Sequence, residues 1–259
     1  MQLRDRTFLL LGGSGGIGQA LVKPLLAAGA RVVVASRNPD QVTVSQATPV
    51  RLDLSAMDLP QQLEALSEMY PDINGVIHCA GQNQFAAVEE LSPQGLDDML
   101  TVNLRSAVLL ARHFVPRFRS AGAGDLVFVG STFGSIGYPG YSAYCASKFG
   151  LRGFTEALRR ELADTDIQVL YVAPRATRTA MNPDSVNALN KALGNHMDDP
   201  TLVAARIIEA MEKDQRRRYL GWPERFFVAL NSILPRLVDK AMVKQLPVIR
   251  RFMKSGASS

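Results

Sequence analysis

An uninterrupted apolar run, Thr7–Leu11, enters the turn Gly12-Gly13-Ser14-Gly15-Gly16-Ile17-Gly18, and helically spaced apolar residues follow over 17–28. A short strand that passes through glycines straight into a helix brings bare backbone close to something. The first turn of a helix offers unpaired N–H groups and the positive end of the helix dipole, so an anion suits it. Gly12 allows the tight turn out of the strand, Gly16 lets a pyrophosphate approach the backbone, and Gly18 lets the helix pack on the strand. Ser14, Gly15 and Ile17 complete the loop.

Short β-branched or apolar runs alternate with helical stretches from there on. Strands are predicted at 31–35, 50–54, 73–78, 125–129, 167–172 and 217–220, and helices at 59–70, 93–119, 142–162 and 201–213. Ser92 caps the 93–119 helix, Pro93 takes its first position, and Pro116 predicts an end or kink near its last turn. Central strands that are apolar on both faces imply an α/β fold. It is a doubly wound parallel sheet of about seven strands with helices on both sides. With 259 residues, of which 47% are apolar and 20% charged, one domain is expected. Residues 1–221 form its body, 222–259 a helical extension of the same domain, and 255–259 a disordered end.

The two cysteines, Cys79 and Cys145, form no Cys-x-x-Cys pair and have no metal-like spacing with His78, His113 or His196, so two reduced thiols and no metal are expected. The N-terminal apolar run is too short for a signal peptide, and no run approaches the roughly 20 apolar residues of a spanning helix. A cytoplasmic protein is expected. The net charge of +5 is uneven: residues 216–254 hold ten basic side chains against Glu224 and Asp239, a surplus of eight, so the rest of the chain sums to −3. An acidic body whose basic tail lacks a recognised nucleic-acid-binding module argues against nucleic acid as a partner.

The second predicted strand ends at Ala35-Ser36-Arg37-Asn38. A carboxylate here would favour a ribose 2′-hydroxyl, whereas Ser36 and Arg37 favour a 2′-phosphate, to which a guanidinium binds strongly. Asp53, with Leu54 beside it, is placed to accept from an adenine amino group, though an Asp at a strand end is commonly a turn former.

Tyr144 and Lys148 stand four apart, on one helix face. A phenol of pKa about 10 is a poor acid or base near neutrality, and a neighbouring ammonium lowers it. Ser131 follows the fifth strand, at the carboxyl edge of the sheet where open α/β folds bind ligands. Asn103 lies inside the long 93–119 helix, placed to hold a water that links the lysine to solvent.

With these landmarks in order, the chain resembles the short-chain dehydrogenase/reductase family over residues 5–221. The resemblance implies a Rossmann-type fold and an NADP(H)-dependent oxidoreductase acting between a carbonyl and an alcohol. Tyr144 is implied as acid/base, Lys148 as its pKa modulator and ribose ligand, Ser131 as the hydrogen bond to the reacting oxygen, and Asn103 as support for a proton relay. It implies cofactor contacts from the glycine loop, Ser36, Arg37, Asp53, Leu54, Cys79, Ala80, Gly81, Tyr144, Lys148, Pro174, Arg175, Thr177 and Thr179. It also implies a homodimer or homotetramer built on the 93–119 and 142–162 helices. Three positions depart from the family pattern: Leu11 where Thr is frequent, Cys79 where Asn is usual, and Arg175 where Gly is usual. A cation at 175 is placed to meet a cofactor phosphate or an anionic substrate, or to weaken cofactor binding.

Residues 179–200 suit a mobile substrate lid with a short helix, in which His196 is expected to be an ordinary surface residue. Beyond Gly221, Pro235 and Pro247 predict three short basic amphipathic helices. They suit a cap on the body or across a dimer, a peripheral contact with anionic membrane, a wall for an acyl chain, or a dock for an acidic carrier protein. The expected substrate is therefore hydrophobic. A 3-oxoacyl-thioester reductase is one alternative. The other is a nucleotide-binding or scaffolding protein without turnover.

Overall fold

A computed structural model describes residues 1–42 and 44–256, with side chains to Met253. Seven strands form one parallel sheet in the order β3-β2-β1-β4-β5-β6-β7. They are β1 (Thr7–Leu11), β2 (Arg31–Ser36), β3 (Thr48–Arg51), β4 (Ile73–His78), β5 (Gly124–Val129), β6 (Ile167–Ala173) and β7 (Arg217–Tyr219). The order reverses between β1 and β4, and a crevice opens there at the strands' carboxyl ends.

Period-two alternation sorts the strand residues between two cores. Phe8, Leu10, Val32, Val34, Ile77, Val127 and Leu170 face α1 (Gly16–Ala27) and α7 (Pro200–Glu212). Leu9, Leu11, Val33, Val76, Leu126, Phe128 and Val169 face the other side, where α2 (Leu59–Met69), α4 (Ser106–Ala121) and α5 (Ser142–Glu161) pack. Strands apolar on both faces are what a sheet covered twice requires.

The third strand ends three residues before the predicted 54. Its pairing with β2 stops at Ser36↔Arg51, and Asp53 then turns the chain by accepting from the Ser55 N–H and hydroxyl at 2.9 and 2.6 Å. The predicted 93–119 helix is α3 (Pro93–Leu100), a π-helical turn over Thr101–Arg105, and α4. Pro116 does not end it. Phe114 and Phe118 bury against the sheet on either side, and the helix runs on until Gly122, at φ 81°, closes it.

The tail forms two helices rather than three: α8 (Trp222–Ile233) and α9 (Pro235–Gly256). Pro235 separates them, but Pro247 lies within α9. The packing of Ile249 and Met253 on Leu189 of α6 (Asp184–Ala192) outweighs one lost backbone bond. Of the predicted disordered end, residues 255–256 are the last of α9 and residues 257–259 lie outside the described ones.

Candidate active site

The glycine loop stands at the β1 end of the crevice. Gly12 has φ +83°, a left-handed conformation, and a Cβ there would sit 2.6 Å from the Ala80 nitrogen. The loop after β1 thus lies against Cys79-Ala80-Gly81 after β4. At Gly18 a Cβ would be 2.1 Å from the Gly12 carbonyl oxygen, so the first turn of α1 folds directly onto the loop. Gly15 caps α1 without any side-chain hydrogen bond, and its first turn has no acidic residue. The first-turn N–H groups are therefore available to an anion. Thr179 closes over the loop, its Cγ2 2.5 Å from where a Gly16 Cβ would stand. This cradle fits a pyrophosphate.

At the end of β2 the Ser36 hydroxyl donates to Ser14 Oγ at 3.2 Å and accepts from the Asn38 N–H at 3.2 Å, while Arg37 is exposed. These groups fit a phosphate on the adenosine ribose. The Asp53 carboxylate is held below the usual range by the Ser55 hydroxyl, which makes it first a turn former.

Tyr144 and Lys148 share one face of α5, as their spacing predicts. Lys148 Nζ lies 5.8 Å from the Tyr144 ring centroid, donates to the Val129 carbonyl at 3.2 Å, and stands 3.5 Å from where a Gly81 Cβ would be. The expected effect of the ammonium on the phenol is not what dominates. Burial pushes the Tyr144 phenol up to about 12, against a smaller lowering by the Ser131 hydroxyl. Burial also brings Lys148 down to about 8. At neutral pH the pair is a neutral phenol, which still carries its proton, beside an ammonium.

Ser131 lies beyond β5; its Oγ accepts from the Phe133 N–H at 3.1 Å, and its hydroxyl meets the Tyr144 phenol. Asn103 sits in the π-helical turn, fully buried. Its Oδ1 accepts from the Gln82 N–H at 2.7 Å, and its Nδ2 donates to the Gln82 carbonyl and to Ser147 Oγ, both at 2.9 Å. Asn103 thus ties the loop after Gly81 directly to α5. Cys79 keeps the β1–β4 register through its backbone N–H on Leu11, and burial pushes its thiol up to about 12.

Arg175, expected to meet a cofactor phosphate or an anionic substrate, lines the crevice beside Pro174. Its guanidinium is engaged by Asp198 at 2.7 and 2.9 Å and by Glu224 at 3.2 Å, which makes it a clamp between the end of β6, the start of α7 and α8. Thr177, also buried, donates to the Arg175 carbonyl at 3.0 Å, and Pro174 lines the crevice beside it. His196 is exposed, as expected, with Nε2 3.5 Å from Asp198.

One cavity of about 590 Å³ holds the glycine loop, Ser131, Tyr144, Lys148, Pro174 and Thr179, and runs on to aromatic residues the sequence did not single out and to the C-terminal helices, for which a wall for an acyl chain was one expected role. Phe133, Tyr138 and Tyr141 form an aromatic wall, with Phe133 stacked on Tyr138 at 4.9 Å and packed against Tyr141 at 5.4 Å. Phe227 and Leu230 of α8 and Leu237, Val238 and Met242 of α9 complete it. The signal for the aromatic wall was the crowding of Phe133, Tyr138 and Tyr141 between Ser131 and Tyr144.

Known proteins share this chain's family and fold. The short chain dehydrogenase family matches residues 6–190. The NADP-dependent 3-hydroxy acid dehydrogenase of Schizosaccharomyces pombe is 32% identical over 69% of this chain and 74% of its own. The ipsdienol dehydrogenase of Ips pini is 30% identical over 82% of this chain and 88% of its own. A short chain dehydrogenase of Burkholderia cenocepacia J2315, solved in complex with NADP, shares the fold with a TM-score of 0.81 at 22% identity, over 93% of this chain and 99% of that one.

Proposed function

The chain belongs to the short-chain dehydrogenase family, and from that premise we propose that it is an NADP(H)-dependent oxidoreductase interconverting a carbonyl and an alcohol on a hydrophobic, acyl-chain-like substrate. The observation that carries this reading is the single cavity that joins the glycine loop and Tyr144 to the apolar side chains of α8 and α9.

Each group has a role in that reading. The first turn of α1 with Ser14 and Thr179 holds the pyrophosphate, while Ser36 and Arg37 hold the 2′-phosphate. Asp53 and Leu54 border the adenine. Cys79, Ala80 and Gly81 border the cofactor on the β4 side, with Pro174 and Thr177 on the β6 side. NADPH, when bound, supplies the hydride. Tyr144, neutral at physiological pH, gives its phenolic proton to the carbonyl oxygen as that oxygen gains charge, and Ser131 donates to the same oxygen. Hydride on carbon and proton on oxygen make the alcohol. Lys148, with one N–H on Val129, turns the others to the ribose, and Asn103 fixes α5 against the Gly81 loop. Arg175, held by Asp198 and Glu224, borders the cofactor beside Pro174 and ties that side of the site to α8.

Two further parts of the proposal concern the whole molecule. The extension read over 222–259 belongs to the 1–221 catalytic domain, and Phe227, Leu230, Leu237, Val238 and Met242 of its helices wall the cavity. The enzyme works in the cytoplasm as a homodimer or homotetramer, a reading supported by exposed Leu96, Val108 and Phe149 on α3, α4 and α5. No helix among the described residues is long and apolar enough to cross a membrane.

The test is NADPH oxidation by the purified protein across carbonyl compounds from short ketones to long-chain and 3-oxoacyl thioesters. Activity that rises with chain length and disappears in Tyr144→Phe is the expected result. Turnover by Tyr144→Phe equal to wild type, or no turnover on any compound despite NADPH binding, would favour the non-catalytic alternative. Activity confined to thioesters would identify the 3-oxoacyl reductase.

A further inference from the structure

We infer that the outer surface of α8 and α9 docks on an anionic lipid bilayer, and that the cavity opens on that surface, so that the substrate is drawn from the bilayer. The second half rests on the oxidoreductase reading above; the first half does not.

Trp222, Phe226, Ala229 and Ile233 recur on α8 at helical spacing and form one stripe. Trp222 is 76%, Phe226 54% and Ile233 76% exposed. The opposite face fixes this orientation: Val228 packs on Ile136 and Val238, and Asn231 Nδ2 donates to the Ser135 carbonyl at 3.0 Å. Scattered exposed apolar residues are ordinary on a soluble protein, whereas a stripe continued by exposed Leu234 and Leu237 at the α8–α9 corner is not.

Beside it, α9 turns Val238, Ile249 and Met253 inward. Its exposed residues include Arg236, Lys240, Lys244, Arg250 and Arg251, with Asp239 the one acid in the helix. Among the described residues none of these five cations stands in an ion pair. A basic helix face beside an aromatic and aliphatic stripe matches a bilayer: the cations meet anionic headgroups while the stripe enters the acyl boundary. An acidic protein would answer the charge but leave Trp222, Phe226 and Ile233 to be matched separately. A second copy would set two like-charged arrays together.

Phe227 and Leu237 line the cavity and are also 45% and 50% exposed, so they stand at its mouth. The Phe227 ring lies 5.7 Å from Phe226 of the stripe. From that mouth the apolar lining runs through Leu230, Val238 and Met242 toward the catalytic groups.

Trp222 is the chain's one tryptophan, so its fluorescence reports on the stripe directly. The full-length protein is titrated with vesicles of phosphatidylcholine alone and of phosphatidylcholine containing one-third phosphatidylserine. With the anionic vesicles, Trp222 emission is expected to shift to the blue and be quenched by brominated acyl chains, at an affinity at least about tenfold above that for neutral vesicles. Lys240→Glu with Lys244→Glu should weaken binding roughly tenfold or more while turnover of a water-soluble ketone, measured without vesicles, stays at the wild-type rate. Equal binding to both vesicles would overturn the proposal. So would salt-reversible sedimentation with no shift of Trp222, which is the behaviour of a charge-only contact. A shifted emission already present without lipid, in a dimer that Phe226→Glu dissociates, would overturn it in favour of a second copy. Because ketone turnover is read separately, loss of docking and failure of the oxidoreductase reading give different results.

Discussion

Arg175 and Asp198 form a two-pronged ion pair, Nη2 on Oδ1 at 2.7 Å and Nε on Oδ2 at 2.9 Å, with Asp198 only 5% exposed. A third partner, Glu224 on α8, lies 3.2 Å from Nη1. The cation that replaces the family's usual glycine therefore couples the floor of the site to its C-terminal wall. Arg175→Gly would strand a buried carboxylate, a loss of about 3 kcal/mol for breaking such a pair. For a chain of this size that is a fall in Tm of roughly 6–12 °C, and Asp198→Asn in the same chain should restore part of it. The double-mutant cycle by calorimetry is the check. A Tm unchanged within a degree would reduce the clamp to an ordinary surface pair.

The shifts at Tyr144 and Lys148 separate two groups that family resemblance treats as a unit. The phenol, at about 12, stays protonated across the accessible range, while the ammonium, brought to about 8 by burial, does not. Above that value Lys148 loses the charge with which it holds the ribose. For reduction of a soluble ketone, kcat/KM, which reports the free enzyme, should fall as pH rises through about 8. Lys148→Arg should move that limb well to the alkaline side, and Tyr144→Phe should lower the rate by about 10²–10⁴ without moving it. A limb that stays in place in Lys148→Arg would assign it to another group.

These two cases show where the sequence is informative and where it stops. The turn Gly12 to Gly18, the shared face of Tyr144 and Lys148, and the placing of Ser131 beyond β5 all follow from short-range spacing, and the structure keeps each of them. Spacing carries no information about burial, so the order of effects on the Tyr144 phenol could not be read from it. The Arg175 clamp joins residues 23 and 49 positions apart, and Asn231 meets Ser135 across 96; no local pattern reports such contacts. Pro247 misled for the same reason, because the rule that a proline breaks a helix is local, while the packing of Ile249 and Met253 is not.

On the proposed reading, cofactor choice turns on one exposed side chain. Arg37 follows β2, beside the Ser36 hydroxyl that is already oriented by Ser14 and Asn38. A charge-assisted contact with a 2′-phosphate contributes about 1.5–3 kcal/mol. Arg37→Ala should accordingly raise the KM for NADPH roughly 10–100-fold and leave that for NADH where it was. Steady-state kinetics with both cofactors decide the matter. An equal effect on the two would mean that Arg37 shapes the loop rather than reading the phosphate.

His78 couples the core beneath the site to pH. It is fully buried at the end of β4, with Nε2 2.8 Å from Ser106 Oγ, and the Ser106 hydroxyl donates to the Val102 carbonyl at 2.7 Å. The ring is therefore the donor in that contact, and Nδ1 is buried without a partner. Burial, with Lys148 adding to it, lowers the imidazole pKa to about 3. Since the unfolded chain binds this proton at about 6.5 and the folded one does not, stability is fully present above that pH and declines as pH falls toward the folded value. At pH 5 the loss from this one group is about 2 kcal/mol. Urea unfolding at pH 7.5 and at pH 5 measures it. In His78→Leu, less stable overall because Ser106 loses its donor, the difference between the two pH values should shrink by about that amount. An unchanged difference would place the acid sensitivity elsewhere in the chain.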